Sequence, residues 1–153
     1  MNKYVIDTNI FEWISDRSHP HHTNCTRRLA MLADTDIVCF PISAAYEVQY
    51  GIANFPPETF AAKEKVTLAL DSALATFFIA NLSTTGASIY GELKSKFKIH
   101  FKTSKENIKK HNFDILLASI SIDHSAILVS NDGIFKQLSS LDSRLTMTDW
   151  TLP

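Results

Sequence analysis

Residues 1–14 read MNKYVIDTNIFEWI. The apolar run Tyr4-Val5-Ile6 stops at Asp7, and from Asn9 to Ile14 the apolar residues fall at helical spacing. A short buried strand that hands over to a helix fits this pattern, with Asp7 or Thr8 as the helix cap. Such a handover puts a carboxylate, a hydroxyl and a carboxamide at the carboxyl end of a strand.

Working outward, the same alternation repeats. A helix is predicted over Thr23–Leu32, then a strand in IVCFP closed by Pro41. Ser43 to Gly51 reads as a helix with Ser43 as cap and Gly51 near its end. NFPPE is a loop, with Pro57 suited to the first turn of a long helix from Glu58 to Ala75. FFIANL reads as a strand and Thr84 opens a helix to about Phe97. After a polar, basic stretch, NFDILLASISID reads as an apolar helix starting near Asp114. AILVS is a strand ending at Asn131-Asp132-Gly133, GIFKQLSSL a short helix and RLTMTDW a last edge strand. Strands alternating with helices predict an α/β architecture with a mainly parallel sheet.

The chain has 153 residues, with 45% apolar content, 4 Gly and 5 Pro. That length suits one domain with its own core and excludes a disordered or loop-dominated chain. A formal net charge of −1 means that any attraction for nucleic acid must come from a local patch. Cys25 and Cys39 form no metal-type pair and fit a reducing cytoplasm. Six residues before Asp7 leave no room for a signal-peptide apolar core, and Ser72 to Gly91 is too polar to span a membrane.

In an open parallel sheet, ligands bind beyond the carboxyl ends of the strands. Asp7 and Asp132 each follow a strand. Glu47, on the helix after the second strand, and Asp114, at the start of an apolar helix, are placed to lean over the same edge. Each has a plainer reading alone: Asp7 as a cap, Asp114 as a first-turn acid, Asp132 as a turn residue, Glu47 as part of a solvated face. Together they make a cluster of like charges that a divalent cation would relieve. Oxygen-only ligands favour Mg²⁺ or Mn²⁺, whose bound water can hydrolyse a phosphodiester. Thr8, Asn9, Ser130 and Asn131 flank two of the acids and are placed to orient them.

The joint pattern resembles the PIN-domain family of metal-dependent nucleases, and within it the VapC-type toxins of toxin–antitoxin pairs. YVIDTNIF is similar to the family's first strand with its acidic signature at Asp7. ISAAYEVQYG resembles the second motif, which assigns Glu47. NFDILLASISI resembles the third, which assigns Asp114. ILVSNDGIF resembles the strand-closing motif, which assigns Asp132 with Ser130 beside it and Phe135 as a core anchor. Ser130 stands where Thr is commoner. The resemblance covers nearly the whole chain. It implies a single PIN domain over residues 1–153, a three-layer fold with a mainly parallel central sheet flanked by helices. It also implies Asp7, Glu47, Asp114 and Asp132 as catalytic metal ligands, Mg²⁺ or Mn²⁺ as cofactor, RNA as substrate, a homodimer and a small inhibitory antitoxin. A catalytically quiet PIN module that binds RNA or a protein is the alternative.

Lys94, Lys96, Lys98, Lys102, Lys105, Lys109 and Lys110 crowd the stretch before Asp114, with Glu106 as the sole acid among them. This is either a solvated surface or a contact for an RNA backbone. Phe97 and Phe101 are core residues or base-stacking platforms. His19, His21, His22 and Cys25 match no standard zinc spacing. No Gly-rich phosphate loop is present, and DTN lacks the second Asp of a haloacid-dehalogenase phosphatase.

Overall fold

The computed structural model describes residues 1–153. Five strands form one sheet in the order β3-β2-β1-β4-β5, every pair parallel. They are β1 (Lys3–Ile6), β2 (Ile37–Pro41), β3 (Phe78–Ala80), β4 (Ile127–Val129) and β5 (Met147–Thr148). The helices are α1 (Thr8–Ser15), α2 (His22–Ala30), α3 (Ile42–Ala53), α4 (Phe60–Thr76), α5 (Thr84–His100), α6 (Lys105–Ile108), α7 (Asn112–Asp123) and α8 (Gly133–Leu141).

The three central strands are apolar on both faces, because helices cover both. Successive strand residues point opposite ways. Val5, Cys39 and Leu128 therefore join a core with α5, α7 and α8, while Ile6, Phe40 and Val129 join a second core with α1, α3 and α4. The result is three layers, as the sequence predicts. No helix is long and apolar enough to cross a membrane.

Local readings differ from the structure at a few points. Ser43 is not a cap: Pro41 ends β2 and is itself the residue before α3, so strand passes to helix without a loop and Ser43 lies buried in the first turn. FFIANL and RLTMTDW shrink to the three-residue β3 and the two-residue β5. Both lie at sheet edges, where pairing on one side only supports less strand. α5 runs past Phe97 to His100, and α7 starts at Asn112, so Asp114 sits in its first turn.

The turn between α8 and β5 is held by a buried acid. Asp142 accepts two hydrogen bonds from the Arg144 guanidinium, at 2.9 and 2.8 Å, and one from Lys96 Nζ at 2.9 Å. Arg144 also reaches Glu92 of α5 at 2.8 Å. Those donors hold the Asp142 carboxyl well below the usual carboxylate range. Because the folded value lies below the unfolded one, this contribution is present above the ordinary aspartate pKa and is lost as pH falls below it. Asp142→Asn should cost about 2 kcal/mol at neutral pH, and the gap to wild type should narrow in acid. Urea unfolding at pH 7 and near pH 3 checks this. Equal gaps at both would show that the charge contributes nothing.

Candidate metal and active-site cleft

A cleft of about 300 Å³ opens at the carboxyl edge of the sheet, lined by Asp7, Glu12, Glu47, Asp114 and Asp132 among its walls. The four acids singled out in the sequence thus come together from four distant segments. Asp7 leaves β1, Glu47 projects from α3, Asp114 from the first turn of α7, and Asp132 precedes α8.

Asp7 is buried and doubly occupied. One carboxylate oxygen accepts from Thr8 N at 2.7 Å, capping α1, and the other accepts from Ser130 Oγ at 2.8 Å. Its backbone N–H donates to Val129 O at 3.0 Å, which ties the ends of β1 and β4 together. Burial raises its carboxyl from 3.8 to about 6, with Glu47 and Asp114 adding to the rise and the bonds from Ser130 and Thr8 opposing it. Thr8 Oγ1 donates to Glu47 Oε2 at 2.6 Å, fixing an acid of α3 from α1.

Asp132 is at once a cap and a wall of the cleft. It accepts from Ile134 N at 3.1 Å, and its own N–H donates to Ser130 Oγ at 3.1 Å. Ser130 therefore links Asp7 and Asp132. Asn131 does not line the cleft. Asp114 lies 3.2 Å from His111 Nδ1. Burial raises the Asp114 carboxyl, His111 lowers it, and Asp132 raises it.

Three lining or flanking residues escape the sequence reading: Glu12, Phe113 and His111. Glu12 lies one turn after Thr8, so helical spacing places it on the same face. Its carboxyl is raised by burial and by Glu47, and lowered by His19. His19 and His21 pack on Trp13, at ring separations of 5.0 and 4.9 Å, as the α1–α2 connection. Phe97 is buried, so it is a core residue rather than a stacking platform.

The walls offer carboxylate, hydroxyl and amide oxygens, the donor set for a hard divalent cation. No three His, Cys, Asp or Glu side chains are grouped closely enough to hold an ion as they stand. Their hydrogen bonds explain the spread: Glu47 is fastened to Thr8, Asp114 to His111 and Asp132 to the start of α8. The chemistry of the donor set fits a cation, and burial, with a smaller contribution from neighbouring acids, raises the carboxyls of Asp7, Glu12 and Asp114.

The PIN domain family model matches residues 4–141. The chain belongs to the PIN domain family. Its fold is similar to that of a chain of VapBC2 from Rickettsia felis, solved with a promoter DNA fragment. The identity there is 25% and the TM-score 0.76, over 97% of this chain and 98% of that chain. It is similar to VapBC-1 of nontypeable Haemophilus influenzae at 16% identity and TM-score 0.74, over 98% and 99% of the two chains. It is also similar to VapBC-5 of Mycobacterium tuberculosis, a member of the VapBC family of toxin-antitoxin systems, at 13% and 0.65, over 97% and 98%. No curated protein matches.

The Asp7 carboxyl predicts a stability trend. Its folded value, about 6, lies above its ordinary 3.8, so the folded state loses stability as pH rises between the two. In cation-free buffer at pH 7, Asp7→Asn should melt above wild type. The gain at full effect is about 2–3 kcal/mol, less whatever the amide loses at Ser130. Near pH 4 the two should melt alike. Calorimetry at both pH values measures this, and a mutant that melts lower at pH 7 would refute the uncompensated charge.

Proposed function

We propose that this PIN domain is the toxin of a toxin–antitoxin pair, a Mg²⁺- or Mn²⁺-dependent endoribonuclease that hydrolyses RNA phosphodiester bonds. The observation that carries the proposal is the cleft, which draws Asp7, Glu47, Asp114 and Asp132 from four segments to one sheet edge. Family membership supports the nuclease class. The likeness to chains of VapBC complexes supports the pairing with an antitoxin.

In this reading the four acids hold the cation. Bound there, it would supply a water of lowered pKa and compensate charge on the scissile phosphate. The residues of the chain set the geometry. Ser130 and the Thr8 amide fix Asp7, the Thr8 hydroxyl aims Glu47, and the α8 amide at Ile134 aims Asp132. Apolar side chains of both cores back the strand ends, so these positions are rigid.

An apolar groove of about 620 Å³ runs along α1, α3 and α4 and meets the cleft at Glu12. Phe11, Val48, Ile52, Phe55 and Val66 line it. An amphipathic antitoxin segment lying there would bring a basic side chain to the acids, where an Arg pairs bidentately with carboxylates.

Cleavage of total RNA should require Mg²⁺ or Mn²⁺, stop with EDTA, and fall by at least about a hundredfold in Asp7→Asn and Glu47→Gln. Both variants should keep wild-type circular dichroism. RNA binding without cleavage by the wild type would leave a catalytically quiet module, and EDTA-insensitive cleavage would reject the metal role. Co-expression with an adjacent small reading frame should yield a complex of suppressed activity.

A further inference from the structure

The stretch from Lys94 to Lys110 holds seven of the chain's 15 Lys and Arg residues. The fold sorts them into two groups. Lys94 Nζ donates to Tyr90 Oη at 2.8 Å and Asn112 Oδ1 at 2.7 Å, joining α5 to α7. Lys96 serves Asp142, and Lys109 pairs with Glu106 at 2.9 Å. Lys98, Lys102, Lys105 and Lys110 are exposed and have no carboxylate within ion-pair reach.

These four lie on the end of α5, the turn after it, α6, and the 3₁₀ turn Lys109–His111 that feeds α7. Packing joins that lobe to the cleft. The His111 ring sits 5.3 Å from Phe97 of α5, and His111 Nδ1 lies 3.2 Å from Asp114. Phe101, at the end of α5, packs on Phe97 with the rings tilted and their centres 4.7 Å apart.

Lys102 has a further peculiarity. Its φ is 49°, in the left-handed region. It follows Phe101, the cap residue of α5, in a motif closed by Thr103 N to Lys98 O at 3.1 Å and Lys102 N to Ile99 O at 3.3 Å. That position favours glycine, because a Cβ there crowds the backbone. A lysine occupies it at a conformational cost and makes no ion pair in return. Such an outlier points to a role outside the fold.

An acidic cleft repels the polyanion it is to cut, so a cationic surface beside it is needed to hold the strand. We propose that Lys98, Lys102, Lys105 and Lys110 receive the phosphate backbone of RNA entering the cleft on its Asp114 side. This rests on the nuclease reading above and assigns the path of its substrate.

The test uses the full chain in an Asp7→Asn background, so that RNA stays intact, with a labelled unstructured RNA oligonucleotide titrated at several salt concentrations. Lys102→Gly should raise the melting temperature by about 2–4 °C, because glycine relieves the left-handed residue. It should also weaken RNA binding several-fold and reduce the salt slope by about 0.7. The triple variant Lys98→Gln/Lys105→Gln/Lys110→Gln should reduce the slope by about 2. Lys3→Gln, which removes one charge at the other end of β1, should leave affinity and slope as they are. Wild-type affinity and slope in both lobe variants would overturn the proposal, as would an equal loss in Lys3→Gln. RNA cleavage by the protein with native Asp7, measured separately in Mg²⁺, keeps the two readings apart. Intact cleavage with unmoved slopes rejects the lysine surface alone, and neither cleavage nor RNA binding rejects both.

Discussion

A carboxylate buried at the end of the central strand is the constraint around which the rest of this protein is arranged. Asp7 is out of water and flanked by other acids, which is unfavourable for its charged form. Its compensation comes from two elements: Thr8 N at the start of α1 and Ser130 Oγ after β4. The Thr8 bond is local, but the Ser130 bond requires β1 and β4 to be neighbours in a parallel register, with Ile6 opposite Val129. A slip of one residue would turn Asp7 away and send Ile6 to the other core. The pairing of the two strands and the integrity of the cleft are thus one requirement.

The remaining acids are held by elements packed on opposite faces of the sheet. α3, which carries Glu47, belongs to one core, and α7, which carries Asp114, belongs to the other. α7 is buried along most of its length, from Ile115 to Ile122, because it lies between the sheet and α5. A helix so enclosed has little freedom to tilt. The acids cannot retreat from one another by moving whole elements. Their side chains instead turn to nearby partners, Thr8 of α1 for Glu47 and His111 before α7 for Asp114.

Much of this was legible in the sequence, and the failures have physical causes. The central strands stand out as short apolar runs between polar turns because both faces of each are buried. The edge strands read longer in the sequence than they are, because apolar residues such as Phe78 are tolerated there half-exposed, beyond what the ladder holds. Ser43 reads as a cap only if a loop separates β2 from α3, and the chain provides none. Glu12 does not stand out in the sequence, because one acid in an otherwise apolar helix looks like its solvated face. Only the position of α3 shows that this face borders the cleft. The lysine stretch read as uniform because its partners lie far along the chain: Asn112 for Lys94 and Asp142 for Lys96.

A net charge of −1 therefore hides a strongly uneven surface. Acids converge on the cleft, while unpaired lysines gather on the lobe that leads into α7. The two are coupled through α7 itself, whose first turn presents Asp114 to the cleft and whose approach carries His111 and Lys110. A field that changes sign between the lobe and the cleft would hold a polyanion at the lobe and keep it from the acids. Only where a divalent cation offsets the acids could the strand continue across them. The cation and the strand proposed above would thus be coupled through charge, since a cation held by the four acids would lessen the repulsion that a polyanion at the lobe meets at the bare cleft.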